Sequence, residues 1–150
     1  MRSKQSKQRI AQVYSDRLRR GDGSDISRSL ARTYGSDLSD ISTQGVLALG
    51  CGNPVALASL RSDEVVLDLG SGTGLDCFLA ANQVGPRGKV IGIDFTGDML
   101  ERAMENSSKQ ECTNVLFICG DIEELPLAGQ VVDVVLSNCV INLTVDRDAV

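Results

Sequence analysis

The sequence predicts a doubly wound α/β fold with a mainly parallel sheet. From Val65 onward, short β-branched and apolar runs alternate with segments of helical periodicity. A glycine-rich turn joins the first of these runs to the helix that follows it. Because strand–helix–strand order requires crossover connections, we expect parallel strands joined by right-handed crossovers.

The elements are expected in the following order. A helix over 4–20 ends at the glycine break 21–23, and a second short helix covers 25–34. Four strands are expected over 65–69, 89–94, 115–118 and 131–136. A helix from Leu75 ends at Gly85 and Pro86, and another begins near Asp98, where Glu101 is placed to complete a capping box.

Composition limits the class of protein. The chain has 150 residues, of which 42% are hydrophobic and 23% charged, as in an ordinary globular domain. No apolar run approaches the roughly 18 residues of a membrane span, and the first residues lack the apolar stretch of a secretory signal, so we predict a cytoplasmic protein. Histidine is absent, which excludes Ser-His-Asp triads and ordinary histidine metal sites.

Charge divides the chain into two predicted regions. Residues 1–32 hold nine Lys/Arg and three Asp/Glu, whereas residues 33–150 hold six and seventeen. We therefore predict a helical, Ser-rich and basic N-terminal segment over 1–44 and a globular domain over 45–150. The basic segment suits a solvated helix face better than a nucleic-acid surface, because no aromatic platform or nucleic-acid module accompanies it.

The five cysteines favour reduced thiols. Their number is odd and no CxxC pair occurs, which argues against a disulfide framework or a structural zinc site. Burial as small hydrophobic residues is the default expectation, and the helical position of Cys77 fits it.

Acidic residues follow three successive strands near the glycine-rich turn. Asp94 ends the second strand, where a carboxylate can accept the hydroxyls of a ribose. An acidic run after the third strand could meet the edge of an adenine: Asp121, Ile122 and Glu123. Asp68 beside the turn would repel a phosphate and attract a sulfonium-bearing amino acid. The pattern therefore indicates a nucleoside ligand without a pyrophosphate, although an ordinary strand–helix turn remains an alternative.

Four segments together resemble the class I S-adenosylmethionine-dependent methyltransferases. They are VLDLGSGTG (66–74), VIGIDFT (90–96), GDIEELP (120–126) and DVVLSN (133–138). The resemblance implies a Rossmann-like sheet of order 3-2-1-4, truncated after its fourth strand, and S-adenosylmethionine as cofactor. It implies cofactor-binding roles for Asp68, Gly70, Ser71, Gly72, Asp94, Phe95, Met99, Asp121, Ile122, Glu123 and Asn138. For Phe95 and Met99, which would flank the adenine, core packing is the alternative.

Two further segments narrow the resemblance to the arsenite methyltransferases. LGCGNPVALASL (49–60) precedes the first strand, and SNCVINL (137–143) follows the fourth. The resemblance implies that Cys51 and Cys139 hold trivalent arsenic as thiolates while its lone pair attacks the methyl group. Soft thiolates suit this thiophilic substrate, and nucleophilic arsenic needs no strong base, in keeping with a chain without histidine.

The chain also departs from that family. Residues 1–50 contain no cysteine, so a small external thiol could serve as a further arsenic ligand. The family continues through three more strands beyond the position of Val150, so we expect the open sheet to promote self-association. Two alternatives stay open: a small-molecule C- or O-methyltransferase of the quinone or sterol type, and a non-catalytic cofactor-binding fragment.

Overall fold

The computed structural model describes residues 2–20, 30, 32–38 and 52–150. The helices described are α1 (Arg2–Arg20), α2 (Pro54–Ala58), α3 (Leu75–Val84) and α4 (Gly97–Lys109). Two 3-10 turns cover Gly35–Leu38 and Ile141–Leu143. The strands are β1 (Val65–Leu69), β2 (Lys89–Asp94), β3 (Val115–Cys119) and β4 (Val134–Ser137).

The predicted doubly wound parallel sheet is confirmed. Its strand order is β3-β2-β1-β4, with every neighbouring pair parallel. Strands β2 and β3 are added on one side of β1, and β4 is added on the other side. The connections that leave β1 and β4 therefore diverge, which opens a crevice at the carboxyl ends of these two strands. Candidate ligand-binding residues in the turns after the strands are thereby brought to one edge.

Three element predictions differ from the structure in detail. β4 begins at Val134 rather than 131, because its partner β1 begins only at Val65 and leaves residues 131–132 without a strand to pair with. The predicted capping box of α4 is wrong: Thr96 is the N-cap, and Asp98 already lies inside the helix. The predicted helix over 25–34 lies mainly outside the described residues, although residues 30 and 32–34 are helical.

One face of the sheet is buried under α3 and α4. Val66, Val90 and Leu136 from three neighbouring strands are at most 4% exposed on this face. They pack in one cluster with Phe78 of α3, whose ring meets the edge of Phe117 at 6.0 Å between centroids. Burial of this continuous apolar surface is the main force that holds the sheet and its helices together.

The opposite face is covered by the connection from β3 to β4, residues 120–133, which contains no helix. Leu67 and Ile93 are buried beneath it, together with Ile122 from the connection itself. At the two outer strands, Leu116 and Val135 are more than half exposed. Such an open apolar margin is the structural basis for the expected self-association, which stays a prediction.

Helix α1 packs across the carboxyl ends of the strands. Lys7 forms ion pairs with Asp121 and Glu123, and Arg19 reaches Asp98 on α4 at 3.0 Å. Part of the basic charge of the N-terminal segment is thus paired within the chain. The division at residue 44 stays a prediction, and none of the described helices is long and apolar enough to span a membrane.

Candidate functional site

The turn after β1 is fixed by backbone contacts with β2. The amides of Gly70 and Ser71 both donate to the carbonyl oxygen of Ile93, at 2.8 and 3.0 Å. Gly70 has a φ of +76°, and a Cβ built there would lie 2.5 Å from Cγ2 of Val140. Glycine is therefore required at this position both by backbone conformation and by the close approach of the segment after β4.

Asp94 connects the turns that follow β1 and β2. Its carboxylate accepts hydrogen bonds from the amides of Gly72, at 2.9 Å, and Thr96, at 2.8 Å. Burial raises the pKa of Asp94, while these two backbone donors act in the opposite direction. The carboxylate is thus held rigidly at the end of β2, where the sequence predicts a contact with ribose.

A cavity opens at the carboxyl ends of β1, β2 and β4. Its enclosed volume is about 80 Å³, and its mouth opens to solvent. It brings together eight of the predicted site residues: Gly70, Ser71, Gly72, Asp94, Phe95, Met99, Asn138 and Cys139. The hydroxyl of Ser71 is buried and has no hydrogen-bond partner within the described part of the chain, so a polar ligand group would satisfy it.

The acidic run after β3 lines an adjoining cavity. Asp121, Ile122 and Glu123 lie there, and the two cavities share Asp94 and Phe95 among their walls. The ammonium of Lys7 lies 2.5 Å from Asp121 and 2.7 Å from Glu123. Hydrogen bonds to these carboxylates raise the pKa of Lys7 and lower that of Glu123, so the charges are held as ion pairs.

Asp68 lies behind the cavity rather than in its wall. Its side chain is 2% exposed and accepts a hydrogen bond from the thiol of Cys77 at 3.3 Å. Burial, reinforced by the nearby Asp76, raises the pKa of Asp68 to about 7. Asp68 therefore does not line the cavity wall, and it could influence a bound cofactor only through its charge. Its role in cofactor binding stays a prediction.

The cysteines fall into two groups. Cys77, Cys112 and Cys119 are free thiols, and Cys77 is completely buried in the main core. Cys139 lines the cavity, adopts a φ of +60° and is disulfide-bonded, so the expectation of reduced thiols throughout is wrong at this position. The remaining cysteine of the sequence, Cys51, lies outside the described residues.

Sequence reasoning missed a polar cluster beside Cys139. The hydroxyl of Tyr34 donates to Asp76 at 3.0 Å, and the amide of Asn138 lies 3.2 Å from Tyr34 and 3.0 Å from Asp76. Asp76 was detectable in principle, since it is a carboxylate within an otherwise apolar helix start. Tyr34 carried no such signal, because its partners lie at least 42 residues away in the sequence.

Comparison with known proteins defines the class. A family model described as a methyltransferase domain matches residues 60–150. The chain therefore belongs to this methyltransferase-domain family. Its sheet order and strand-end motifs are those of the S-adenosylmethionine-dependent methyltransferases of class I.

The chain is similar to methyltransferases of more than one kind. An arsenite methyltransferase from Halobacterium salinarum is 50% identical over 114 residues, which cover 76% of this chain and 29% of that protein. A solved arsenic(III) S-adenosylmethionine methyltransferase from Chlamydomonas reinhardtii superposes with a TM-score of 0.64 at 37% identity, covering 76% of this chain and 41% of that one. A demethylmenaquinone methyltransferase from Lactococcus lactis is 41% identical over 70 residues, 47% of this chain and 28% of that protein. The chain thus spans about three tenths of its curated arsenite methyltransferase relative.

Proposed function

We propose that the chain is the cofactor-binding part of an S-adenosylmethionine-dependent methyltransferase that acts on trivalent arsenic. The observation that carries the proposal is that one cavity contains both the glycine turn with Asp94 and the sulfur-bearing residue Cys139. Neither half alone would distinguish this function from that of other methyltransferases. A methyl transfer to arsenic requires the cofactor's methyl group and the arsenic atom to lie side by side, and one shared cavity would provide this proximity.

The cofactor half has the groups that S-adenosylmethionine requires. Gly72 has open space beside it for close backbone approach of the methionyl part, and the buried hydroxyl of Ser71 in the same turn has no hydrogen-bond partner among the described residues. Asp94 would accept the ribose hydroxyls, while Phe95 and Met99 would flank the adenine. When bound, the cofactor supplies an electrophilic methyl group on a sulfonium centre. Asp121, Ile122, Glu123 and Asn138 are proposed to complete this half of the site.

The thiol half supplies the ligands for arsenic. Reduced Cys139 would offer one thiolate at the cavity wall, and we propose Cys51 as the second, with a small external thiol as a further ligand. Cys139 is disulfide-bonded in the structure, so its sulfur can bind arsenic only after that bond is reduced. The thiols must be reduced to bind arsenic, which a reducing cytoplasm would ensure.

The proposal is tested by titrating S-adenosylmethionine and arsenite separately into the reduced chain, with calorimetric detection. We expect saturable binding of both and a change in cofactor affinity when arsenite is present, because the two would share one cavity. Cys139→Ser should lose at least about tenfold in arsenite affinity, the equivalent of one lost ligand, and keep its cofactor affinity.

Cys112→Ser is the matched control, because Cys112 is a free thiol at the opposite end of β3. It should leave both affinities unchanged. Equal arsenite affinity in Cys139→Ser and the unaltered chain would refute the arsenic assignment. Cofactor binding without any arsenite binding would instead favour the quinone or sterol type of methyltransferase. If neither ligand binds to the folded, reduced chain, the cofactor assignment fails as well.

A further inference from the structure

Asp76 brings a buried carboxylate to the wall of the main cavity. It lies in the first turn of α3, just after the glycine-rich turn, and is 9% exposed. In the described part of that wall, the charged side chains are Asp76 and Asp94, both of them acidic. Because a buried carboxylate is costly unless hydrogen bonds or positive charge compensate it, this wall favours a ligand that carries positive charge.

Two neutral donors hold the Asp76 carboxylate in place. The hydroxyl of Tyr34 donates to Oδ1 and the side-chain amide of Asn138 donates to Oδ2, each at 3.0 Å. Both donors also line the cavity. Since each carboxylate oxygen has a second acceptor position, a further donor can bind without displacing either of them. Burial raises the pKa of Asp76 and the two donors act in the opposite direction, as a bound cation also would.

The place of Asp76 indicates which part of a ligand it meets. Asp94 is held by two backbone amides at the end of β2, where the ribose is proposed to bind. Asp76 instead follows the glycine-rich turn, where the methionyl part is proposed to lie. An independent sign of a polar ligand group at this turn is the buried hydroxyl of Ser71, which has no hydrogen-bond partner among the described residues and lines the same cavity. The methionyl part carries an α-ammonium group, a cationic donor of the kind that Asp76 lacks.

We infer that the Asp76 carboxylate binds the α-ammonium group of the methionyl part and thereby sets a preference for cofactor forms that carry this group. The inference deepens the proposed function and rests on its cofactor half. A hydrogen bond between an ammonium group and a carboxylate is charge-assisted and therefore stronger than one between neutral groups. Its loss should weaken binding of ligands that have the amino group and spare ligands that lack it.

The test compares two ligands by calorimetry with the reduced full chain: S-adenosylhomocysteine, and its analogue in which hydrogen replaces the α-amino group. The unaltered chain should bind S-adenosylhomocysteine at least about tenfold more tightly than the analogue, as for one hydrogen bond to a charged group. In Asp76→Asn, which keeps the shape of the side chain, this ratio should fall below about threefold. Affinity for the analogue should not decrease, because the variant removes no group that this ligand uses.

Asp98→Asn is the matched control. Asp98 also lies in the first turn of a helix, but it pairs with Arg19 and is not part of the described cavity wall, so the full ratio should be kept. Asp76→Ser repeats the test with a second neutral side chain, in case Asp76→Asn does not fold.

Three outcomes would overturn the inference while the proposed function stands. They are equal affinities for the two ligands in the unaltered chain, an unchanged ratio in the folded Asp76 variants, and an equal fall of the ratio in Asp98→Asn. An unchanged ratio with weaker binding of both ligands would show that Asp76 acts only on the structure of the site. If the folded, unaltered chain binds neither ligand, the cofactor assignment of the proposed function fails as well.

Discussion

The two halves of the cavity are built in different ways. The proposed cofactor half consists of the turns after β1 and β2, in which donors and acceptors lie about 20 residues apart, as in the bond from Gly72 to Asp94. The proposed thiol half depends on contacts that span 62 to 104 residues, made by Asn138, which borders both halves, with Asp76, Gly52 and Tyr34. One half is a local motif on the sheet edge, whereas the other exists only after the whole domain has folded.

This difference has a consequence for mutation. In the cofactor half, backbone amides make most of the contacts, so side-chain changes act mainly through glycine conformation and the Asp94 carboxylate. In the thiol half, side chains make the contacts. Substitution of a single side chain can therefore break a contact between two chain segments without disturbing the sheet. The halves meet where Gly70 faces Val140, next to Cys139.

Substitution at that meeting point should have the largest effect. Gly70→Ala places a methyl group against Val140 and forces alanine into a left-handed conformation. Overpacking and conformational strain together should lower the free energy of unfolding by about 2–5 kcal/mol, measured by urea denaturation. Affinities for S-adenosylmethionine and arsenite should both fall, because the altered contact belongs to both halves.

A second variant separates the two causes. Gly70→Ala combined with Val140→Ala removes the steric overlap and should recover all but the roughly 1–2 kcal/mol of conformational strain. Gly129→Ala serves as the control, since a Cβ there has nothing within 4 Å. No recovery in the double variant would show that Val140 is not the obstacle and that the halves do not meet there.

The pH dependence of stability should come mainly from the buried wall behind the cofactor half. Burial raises the pKa of Asp68 to about 7, above that of the unfolded chain, so the folded state binds the proton more tightly. This stabilisation is fully present below about pH 4 and is lost as the pH rises through 7. Between pH 5 and pH 8 the free energy of unfolding should fall by about 3 kcal/mol more in the unaltered chain than in Asp68→Asn.

Urea denaturation at a series of pH values measures this difference directly. Asp76 and Asp94, whose pKa values are also raised by burial, contribute in the same direction in both proteins. The comparison with Asp68→Asn therefore isolates one carboxyl group. Parallel pH profiles for the two proteins would show that Asp68 is ionised in the folded state, and would restore a direct electrostatic role towards the cofactor.

The sequence allowed prediction of where most residues of the proposed cofactor half lie, whereas their binding roles stay predictions. Strand, glycine turn and Asp94 are close in the sequence, so their relation follows from the regular geometry of one β–α–β unit. The position of Cys139 at the ligand crevice was also predicted, because this residue lies just past the end of a strand in a segment that resembles the family. The sheet order followed from the family resemblance and is confirmed.

The rest could not be predicted from local patterns. Tyr34 lies in a Ser-rich segment without clear periodicity. Its importance becomes visible only in the structure, where its hydroxyl donates to Asp76 on another element. The start of β4 depends on where β1 begins, and the N-cap of α4 depends on the Asp94 turn. Each of these features is decided by tertiary contacts, which override local preference.

The smallest expected effect concerns the ion pairs that hold α1 over the adjoining cavity. Lys7→Met removes the pairs with Asp121 and Glu123, which are partly exposed to solvent and so contribute modestly. Amide hydrogens of α1 should exchange about threefold faster at low salt, measured by mass spectrometry. In 1 M salt the difference should disappear because the charges are screened.

Gln8→Met, an exposed substitution on the same helix, should show neither change. A salt-independent acceleration in Lys7→Met would mean that packing of the lysine stem, rather than its charge, holds the helix. Unchanged exchange in α1 would show that the apolar contacts of Ile10 and Tyr14 with the cavity wall are sufficient.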